Sequence, residues 1–305
     1  MKPGEGLSDV TRSQRAAGAM GIARVGQRGR SIGEILIEAG RLESDGAAKI
    51  GLMQRELGLH FGEAAMKLGL LKLADIEFAL ARQFEYPYLT AADDTSIAPE
   101  LVSAFRPFGA VAEQLRSLRT RLLMSLLTEA KTPRSIAVVS GSAGEGRSFV
   151  AANLAIVFSQ MGERTLLIDA DLRKPRQHLL FRLDNRQGLS NVLLGRAHFE
   201  CIASVPQFQD LSILTAGSTA PNPQELLSWP AFPAVLRDAV GSFDVVIVDT
   251  PPAGASADAQ IIASRTGSAV LVARAEQSDA RTLRRVRAAL RESGAHLIGS
   301  VLNGA

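Results

Sequence analysis

A glycine-rich loop of the phosphate-binding type lies at residues 141–148, where the chain reads Gly-Ser-Ala-Gly-Glu-Gly-Arg-Ser. It follows an apolar run typical of a buried strand and precedes an apolar helical pattern. The backbone N–H groups of such a loop, together with the N-terminus of the helix, form a positive cradle for phosphate oxygens. The hydroxyl of Ser148 is suited to bind magnesium. The sequence therefore predicts a nucleotide site formed by Gly141, Ser142, Ala143, Gly144, Glu145, Gly146, Arg147, Ser148 and Phe149.

Arg147 stands where a loop of this type normally carries a lysine. Arginine keeps the positive charge, but its guanidinium group is planar, forked and bulkier, so the exchange is not conservative at a tight site. We predict that the loop binds nucleotide. Whether it also supports phosphoryl transfer is left open at this point.

Acidic residues stand at the ends of two further apolar segments. Asp169 and Asp171 follow one of them, and Asp249 ends the other. The carboxyl ends of parallel strands meet at the crevice where ligands bind in an open sheet. Carboxylates in that place hold magnesium, directly or through water, or accept a proton from an attacking hydroxyl group.

The segments around these residues alternate between strand and helix patterns. Apolar, β-branched runs predict strands at 135–140, 165–170, 211–215, 243–249, 268–273 and 297–302, and helices near 148–162, 223–239, 256–265 and 279–293. This alternation predicts an α/β fold, a doubly wound parallel sheet of the P-loop NTPase type covered on both faces.

The chain is predicted to have four parts. Residues 1–30 form a basic tail, 31–92 a small helical module, 93–110 a turn-rich linker and 111–305 the nucleotide-binding domain. In the module, the segment 32–42 is repeated at 61–71, and the spacing of apolar residues predicts two copies of a helix, a glycine-ended turn and a second helix.

Composition limits the classes of function. Of the 305 residues, 46% are hydrophobic, the net charge is only +3, and Cys201 is the single cysteine. We expect a cytoplasmic protein, because no apolar stretch is long enough to span a bilayer and a lone cysteine cannot form an internal disulfide. The arginines at 281–291 fit the solvated face of a helix, so no nucleic-acid partner is expected.

Residues 105–303 resemble the bacterial tyrosine kinases that control exopolysaccharide chain length. The resemblance is carried by the loop, by Asp-x-Asp-x-Arg at 169–173 and by Asp-Thr-Pro-Pro at 249–252. It implies ATP and Mg²⁺ as cofactors and tyrosine phosphorylation as the reaction. It also implies that Arg147 contacts phosphate, that Asp169 or Asp171 acts as base, and that Ser148, Asp171 and Asp249 hold magnesium.

The same resemblance implies two kinds of partner. Glu113, Arg116 and Arg119 repeat the family pattern Glu-x-x-Arg-x-x-Arg, which implies self-association through this helix, although such spacing is also typical of a solvated helix face. A membrane polysaccharide co-polymerase is the second partner. It would place the protein peripherally at the inner membrane.

The module at 31–92 resembles the N-terminal domain of type II secretion and pilus ATPases, whose longer variant binds cyclic di-GMP. That variant has an arginine before the Leu-Gly pair of each repeat, whereas this chain has Ser31 and His60 there, with Arg30 one residue away. A docking module is therefore the preferred interpretation, and cyclic di-GMP binding is the other.

Three departures from the kinase pattern keep an alternative open. The sequence given stops at Ala305 without a tyrosine-rich tail, its only tyrosines are Tyr86 and Tyr88, and Arg147 replaces lysine. The alternative is a non-phosphorylating, ATP-dependent assembly switch that docks on the co-polymerase. A partitioning ATPase of the same fold is disfavoured, because Ser142 stands where those proteins have a second lysine.

Overall fold

The computed structural model describes residues 30–83, 89, 96–128 and 134–304. Tyr86 and Tyr88 and nearly all of the basic tail lie outside the described residues. None of the helices in the described ranges is both long and apolar enough to cross a bilayer.

Seven strands form one sheet in the order β3-β4-β2-β5-β1-β6-β7. All neighbours are parallel except β3 and β4. The strands are β1 (Ser135–Ser140), β2 (Thr165–Asp169), β3 (Ala203–Ser204), β4 (Leu211–Leu214), β5 (Val245–Asp249), β6 (Ser268–Arg274) and β7 (His296–Asn303). Strands β1, β2, β4 and β5 are buried along their whole length, because helices cover both faces of the sheet.

Nine α-helices belong to this part of the described chain. They are α5 (Val102–Phe105), α6 (Ala110–Thr128), α7 (Arg147–Ser159), α8 (Gln177–Leu180), α9 (Leu189–Leu193), α10 (Pro223–Ser228), α11 (Ala231–Ser242), α12 (Asp258–Thr266) and α13 (Ala280–Glu292). Two apolar clusters lie between helices and sheet, one containing Leu166, Val246 and Ile262 and the other Val138, Ile156 and Ile247. The predicted doubly wound α/β fold is confirmed.

Some predicted boundaries differ from the structure. The single helix expected near 223–239 is two helices, because Trp229 precedes Pro230 and adopts an extended conformation with ψ of 152°. Strand β5 starts at Val245 rather than 243, and the Asp244 carboxylate just before it accepts hydrogen bonds from Arg164. The short elements β3, α8 and α9 were not predicted, because two to five residues carry too little periodicity.

The N-terminal residues form four helices with an apolar cluster of their own, which includes Leu36, Ile50 and Ile76. The helices are α1 (Ile32–Glu38), α2 (Ser44–Leu57), α3 (Phe61–Lys67) and α4 (Leu73–Gln83). The two copies of the repeat therefore fold alike. Helix α2 is followed by Gly58, which has a φ of +65° that favours glycine.

Residues 96–110, within the segment predicted as a linker, contain helix α5 and pack on the sheet domain. Ile97, Leu101 and Ala104 are buried in one of its apolar clusters, and the Ala98 amide donates to the Leu180 carbonyl oxygen at 2.7 Å. The domain boundaries themselves stay a prediction.

Candidate nucleotide-binding site

The glycine-rich loop joins the end of β1 to the start of α7, as the sequence predicts. Gly146 directly precedes the helix with a φ of +91°. A Cβ atom built on it would lie 2.1 Å from Nδ2 of Asn303. Any other residue here would have a strained backbone and would displace the Asn303 side chain, and the glycine places the α7 amides at the mouth of the loop.

The buried Glu145 side chain stabilises the loop from inside through hydrogen bonds. Its Oε2 accepts from the Ser142 amide at 2.8 Å, and its Oε1 accepts from the Ser278 hydroxyl group. Nδ2 of Asn303 donates to the Glu145 carbonyl oxygen at 3.3 Å, and Arg274 donates to the carbonyl oxygen of Gly144 at 3.1 Å. Residues from β6, β7 and the segment after β6 thus fix the shape of the loop.

Arg147 turns inward to the acids. Its Nη1 donates to the Ser140 hydroxyl at 2.7 Å and its Nη2 to Oδ2 of Asp171 at 3.2 Å, while its Nε lies 3.5 Å from Oδ1 of Asp249. The side chain is 8% exposed. A guanidinium fork can contact three groups at once, which the single ammonium of a lysine does less well. The arginine therefore neutralises two buried carboxylates from two strands.

Asp249, at the end of β5, faces the first turn of α7. Its Oδ2 accepts from Nε2 of Gln177 at 2.7 Å, and Ser148 is a further hydrogen-bond partner. Among the described residues no donor makes a hydrogen bond to its Oδ1. Burial raises the pKa of Asp249, while Arg147, Gln177 and Ser148 lower it. A buried carboxylate oxygen without a hydrogen bond beside a serine hydroxyl suits a small oxygen-binding cation such as Mg²⁺.

Asp169 holds the loop that follows β2. Its Oδ2 accepts from the amides of Arg176 and Gln177 at 3.0 and 2.9 Å, and its Oδ1 accepts from the Asp171 amide at 3.2 Å. Burial, followed by the nearby Asp249, raises the pKa of Asp169 well above its usual value. Both oxygens of Asp169 are held by main-chain donors, whereas at Asp171 only Oδ1 is, and Oδ2 accepts from the Arg147 side chain.

Asp171 is nearly buried, and its two oxygens face different partners. Oδ1 accepts from the amides of Arg173 and Lys174 at 3.2 and 2.9 Å, which fixes the carboxylate on its loop. Oδ2 points to Arg147. Beyond it, Arg173 donates from Nε to the buried Asp258 at 2.7 Å and ties this loop to α12.

The structure brings the predicted Arg147, Ser148, Asp169, Asp171 and Asp249 together. Phe149 differs, because its ring packs on the apolar cluster under α7. Sequence reasoning missed Gln177, which is fully buried and donates to both Asp249 and the Ser148 carbonyl oxygen. No pattern in the sequence marks it, because its partners are 29 and 72 positions away.

The Glu113, Arg116 and Arg119 side chains lie on α6, away from the acids. Arg116 bonds to Glu113 with Nε at 3.0 Å and to the Pro107 carbonyl oxygen. Arg119 donates to the Val157 carbonyl oxygen on α7 at 2.7 Å. Arg119 therefore also joins two helices of its own chain.

Comparison with known proteins agrees with this geometry. Residues 131–304 match the family described as ParA: NUBPL iron-transfer P-loop NTPase, which is more than half of the chain. The putative tyrosine-protein kinase CapB of Staphylococcus aureus is 32% identical over 198 residues, which cover 65% of this chain and 86% of CapB. The tyrosine-protein kinase YwqD of Bacillus subtilis is 37% identical over 204 residues, which cover 67% of this chain and 85% of YwqD.

Solved structures lead to the same group. The kinase domain of the Escherichia coli tyrosine kinase ETK superposes with a TM-score of 0.65 at 30% identity, over 71% of this chain and 84% of that domain. The chimerical protein CapA2B2 gives a TM-score of 0.63 at 32% identity, over 74% and 98% of the two chains.

The sheet, the glycine-rich loop and the acids at the strand ends define a nucleotide-binding P-loop NTPase. Within that class, this chain belongs to the bacterial tyrosine-kinase family. The predicted family and enzyme class are confirmed. The resemblance of residues 31–92 to secretion ATPases stays a prediction.

Proposed function

We propose that the chain is an ATP- and Mg²⁺-dependent protein tyrosine kinase that regulates the polymerisation, chain length and export of an exopolysaccharide. The observation that carries this proposal is the convergence of Ser148, Asp171 and Asp249 beside the glycine-rich loop. The kinship with tyrosine kinases supports the reaction class.

Each part of the site has a proposed task. The amides of 141–148 and the Arg147 guanidinium hold the phosphates, and Ser148, Asp171 and Asp249 hold the metal. Bound magnesium supplies neutralisation of the charge on the phosphate oxygens. Asp171 accepts the proton of the incoming tyrosine hydroxyl through Oδ2, which no main-chain amide in the described chain holds, whereas main-chain amides hold both oxygens of Asp169. Asp169 and Gln177 act by position: they fix the Asp171 loop and the Asp249 carboxylate.

The proposal is tested by incubating the protein with γ-labelled ATP, magnesium and a tyrosine-containing peptide. We expect labelled phosphotyrosine in the peptide, and titration calorimetry should detect nucleotide binding. If no adenine nucleotide is taken up at millimolar concentration with magnesium present, the proposed function is wrong.

Replacing Arg147 by lysine tests whether the arginine limits the access of magnesium to the acids and so the rate of ATP turnover. Lysine cannot contact Ser140, Asp171 and Asp249 together, so the acids become more accessible to the metal. We expect roughly tenfold faster ATP turnover at limiting magnesium, which corresponds to about 1.4 kcal/mol. Slower turnover would show instead that the guanidinium itself is required for catalysis.

The second candidate is an assembly switch that binds ATP without transferring phosphate. The observation that favours it is Arg147, whose contacts with both acids compete with the metal. ATP would then act by binding the assembled state more tightly than the free one. Nucleotide binding without phosphotyrosine, in Arg147→Lys as well as in the natural protein, would support the switch over the kinase.

We also propose self-association through Glu113, Arg116 and Arg119, because guanidinium–carboxylate forks suit contacts between copies. Replacing Glu113 and Arg116 by alanine is expected to lower the mass measured by light scattering with Mg-ATP present. Arg121→Ala, an exposed change on the same helix, is the matched control. Arg119 is left intact because it bonds to α7. An unchanged mass in the double variant would contradict this contact.

Residues 31–92 are proposed to form a docking module, and a membrane co-polymerase is the proposed partner that holds this cytoplasmic protein at the inner membrane. The two positions where arginines would indicate cyclic di-GMP binding serve helix starts instead. The Ser31 hydroxyl accepts from the Glu34 amide at 3.2 Å, and the His60 amide donates to Glu63 at 2.9 Å. At Ser31 the side chain itself caps the helix, which favours docking over nucleotide binding by the module.

A further inference from the structure

A cleft lies at Arg173, two residues after the proposed base Asp171. Its volume is about 450 Å³, and its lining includes Arg173, Pro221, Asn222, Glu225, Ser228 and Trp229. Trp229 is the only tryptophan of the chain, and it is 44% exposed. A large aromatic residue that remains this exposed in a cleft is suited to contact a ligand.

Strand order places this cleft relative to the nucleotide. The sheet runs β4-β2-β5-β1, so the strand ends carry in sequence the segment leading to α10, Asp171, Asp249 and the glycine-rich loop. From this order we expect the glycine-rich loop and the cleft to flank the acids on opposite sides. Phosphoryl transfer needs the attacking and leaving oxygens roughly in line on opposite sides of the phosphorus atom.

Arg173 connects the cleft to the proposed base. Its amide donates to Asp171 at 3.2 Å, and its side chain lines the cleft while it is paired with Asp258. Arg173, which would contact a ligand in the cleft, is thus two residues away in sequence from Asp171, the carboxylate that receives the proton. Because Asp258 is buried and Arg173 is 42% exposed, the guanidinium keeps a solvent-facing surface for a π system or a carboxylate.

We infer that this cleft is the subsite for the tyrosine-bearing segment of the acceptor protein, with Trp229 contacting the aromatic side chain or its flanking residues. The inference rests on the proposed kinase function. The occupant is an aromatic peptide because an indole ring and a guanidinium group both line the cleft, and both bind aromatic rings. The mixed charge of Arg173 and Glu225 fits a polar peptide backbone better than a polyanion.

The single tryptophan makes a direct test possible. The full chain, with magnesium and a non-hydrolysable ATP analogue, is titrated with a synthetic peptide that carries one tyrosine, while Trp229 emission is recorded. We expect a saturable change in emission, and no change with the same peptide carrying alanine for tyrosine. A change caused by the ATP analogue alone, with none from the peptide, would assign the cleft to the nucleotide base and overturn the inference.

Kinetics supply the second measurement. Trp229→Ala is expected to raise the KM for the tyrosine peptide about tenfold with little change in kcat or in the KM for ATP, and Trp229→Phe should restore most of the loss. Met161→Ala removes a similarly exposed apolar side chain that does not line the cleft, and should change neither constant.

The outcomes separate the cleft from the kinase activity. If the peptide is phosphorylated and its KM is unchanged in Trp229→Ala, the proposed peptide subsite is wrong and the proposed kinase function stands. A saturable change in Trp229 emission without any phosphotyrosine supports the cleft as a peptide site and contradicts the proposed kinase function. If the peptide gives neither signal, both are wrong.

Discussion

Arg147→Met is expected to destabilise the nucleotide-free protein by about 3–5 kcal/mol, because it removes the positive charge from a buried ion-pair network. Asp171 is 3% exposed at its side chain and Asp249 is 0% exposed, and Arg147 is the cation within 4.0 Å of both in the described chain. Methionine fills a similar volume but leaves these carboxylates without a counter-charge. Chemical denaturation in the absence of nucleotide measures the loss.

A matched control separates burial from charge. Arg164→Met also breaks an arginine–aspartate pair, with Asp244 at 2.6 Å, but both side chains are 31% exposed. We expect a loss of about 1 kcal/mol or less there, because water screens exposed pairs. Adding magnesium and ADP should recover much of the stability of Arg147→Met, since binding to the folded state alone stabilises it. Equal losses in the two variants would contradict the assigned role of Arg147.

The loss should also depend on pH in a defined direction. Burial raises the pKa of Asp249, and Arg147 opposes that rise, so removing the arginine raises this pKa further. A carboxyl group whose pKa is raised in the folded state favours folding when it is protonated, and it loses that contribution as pH increases through the raised value. The difference between Arg147→Met and the natural protein should therefore shrink as pH falls and grow towards neutral pH.

The sequence predicts the sheet domain well because its signals are local. Long β-branched runs specify buried strands, and Gly146 specifies the loop, since its φ of +91° favours glycine. The position of the acids is also predictable from the sequence, because parallel strands place their C-terminal residues at one edge of the sheet.

The interior arrangement of the site could not be predicted in this way. Gln177 bonds to Asp249, Glu145 bonds to Ser278, and Arg147 bonds to Ser140 and two acids. These contacts join residues far apart in sequence, and each depends on side-chain direction rather than on periodicity. The direction of Arg147 matters most, because it decides whether the guanidinium faces a ligand or the acids.

Asp249→Asn is expected to reduce phosphoryl transfer at least about a hundredfold, because it removes a negative charge from the proposed metal site while changing the shape of the side chain little. The asparagine oxygen can still accept from Gln177, as Oδ2 of Asp249 does at 2.7 Å. The asparagine NH₂ group, however, takes the place of the carboxylate oxygen that faces Arg147. Because this group is only a hydrogen-bond donor, it can no longer bind a cation.

The loss of activity in Asp249→Asn should depend on the magnesium concentration and should not come from unfolding. We expect a higher magnesium concentration for half-maximal activity in Asp249→Asn, with a cooperative unfolding transition retained. Asp244→Asn is the matched control, since it makes the same change at the other end of the same segment, where Asp244 pairs with Arg164. If Asp249→Asn kept full activity with unchanged magnesium dependence, the metal would have to be held by Asp171 and Ser148 without β5. The convergence of strand ends would then not explain the chemistry of the site.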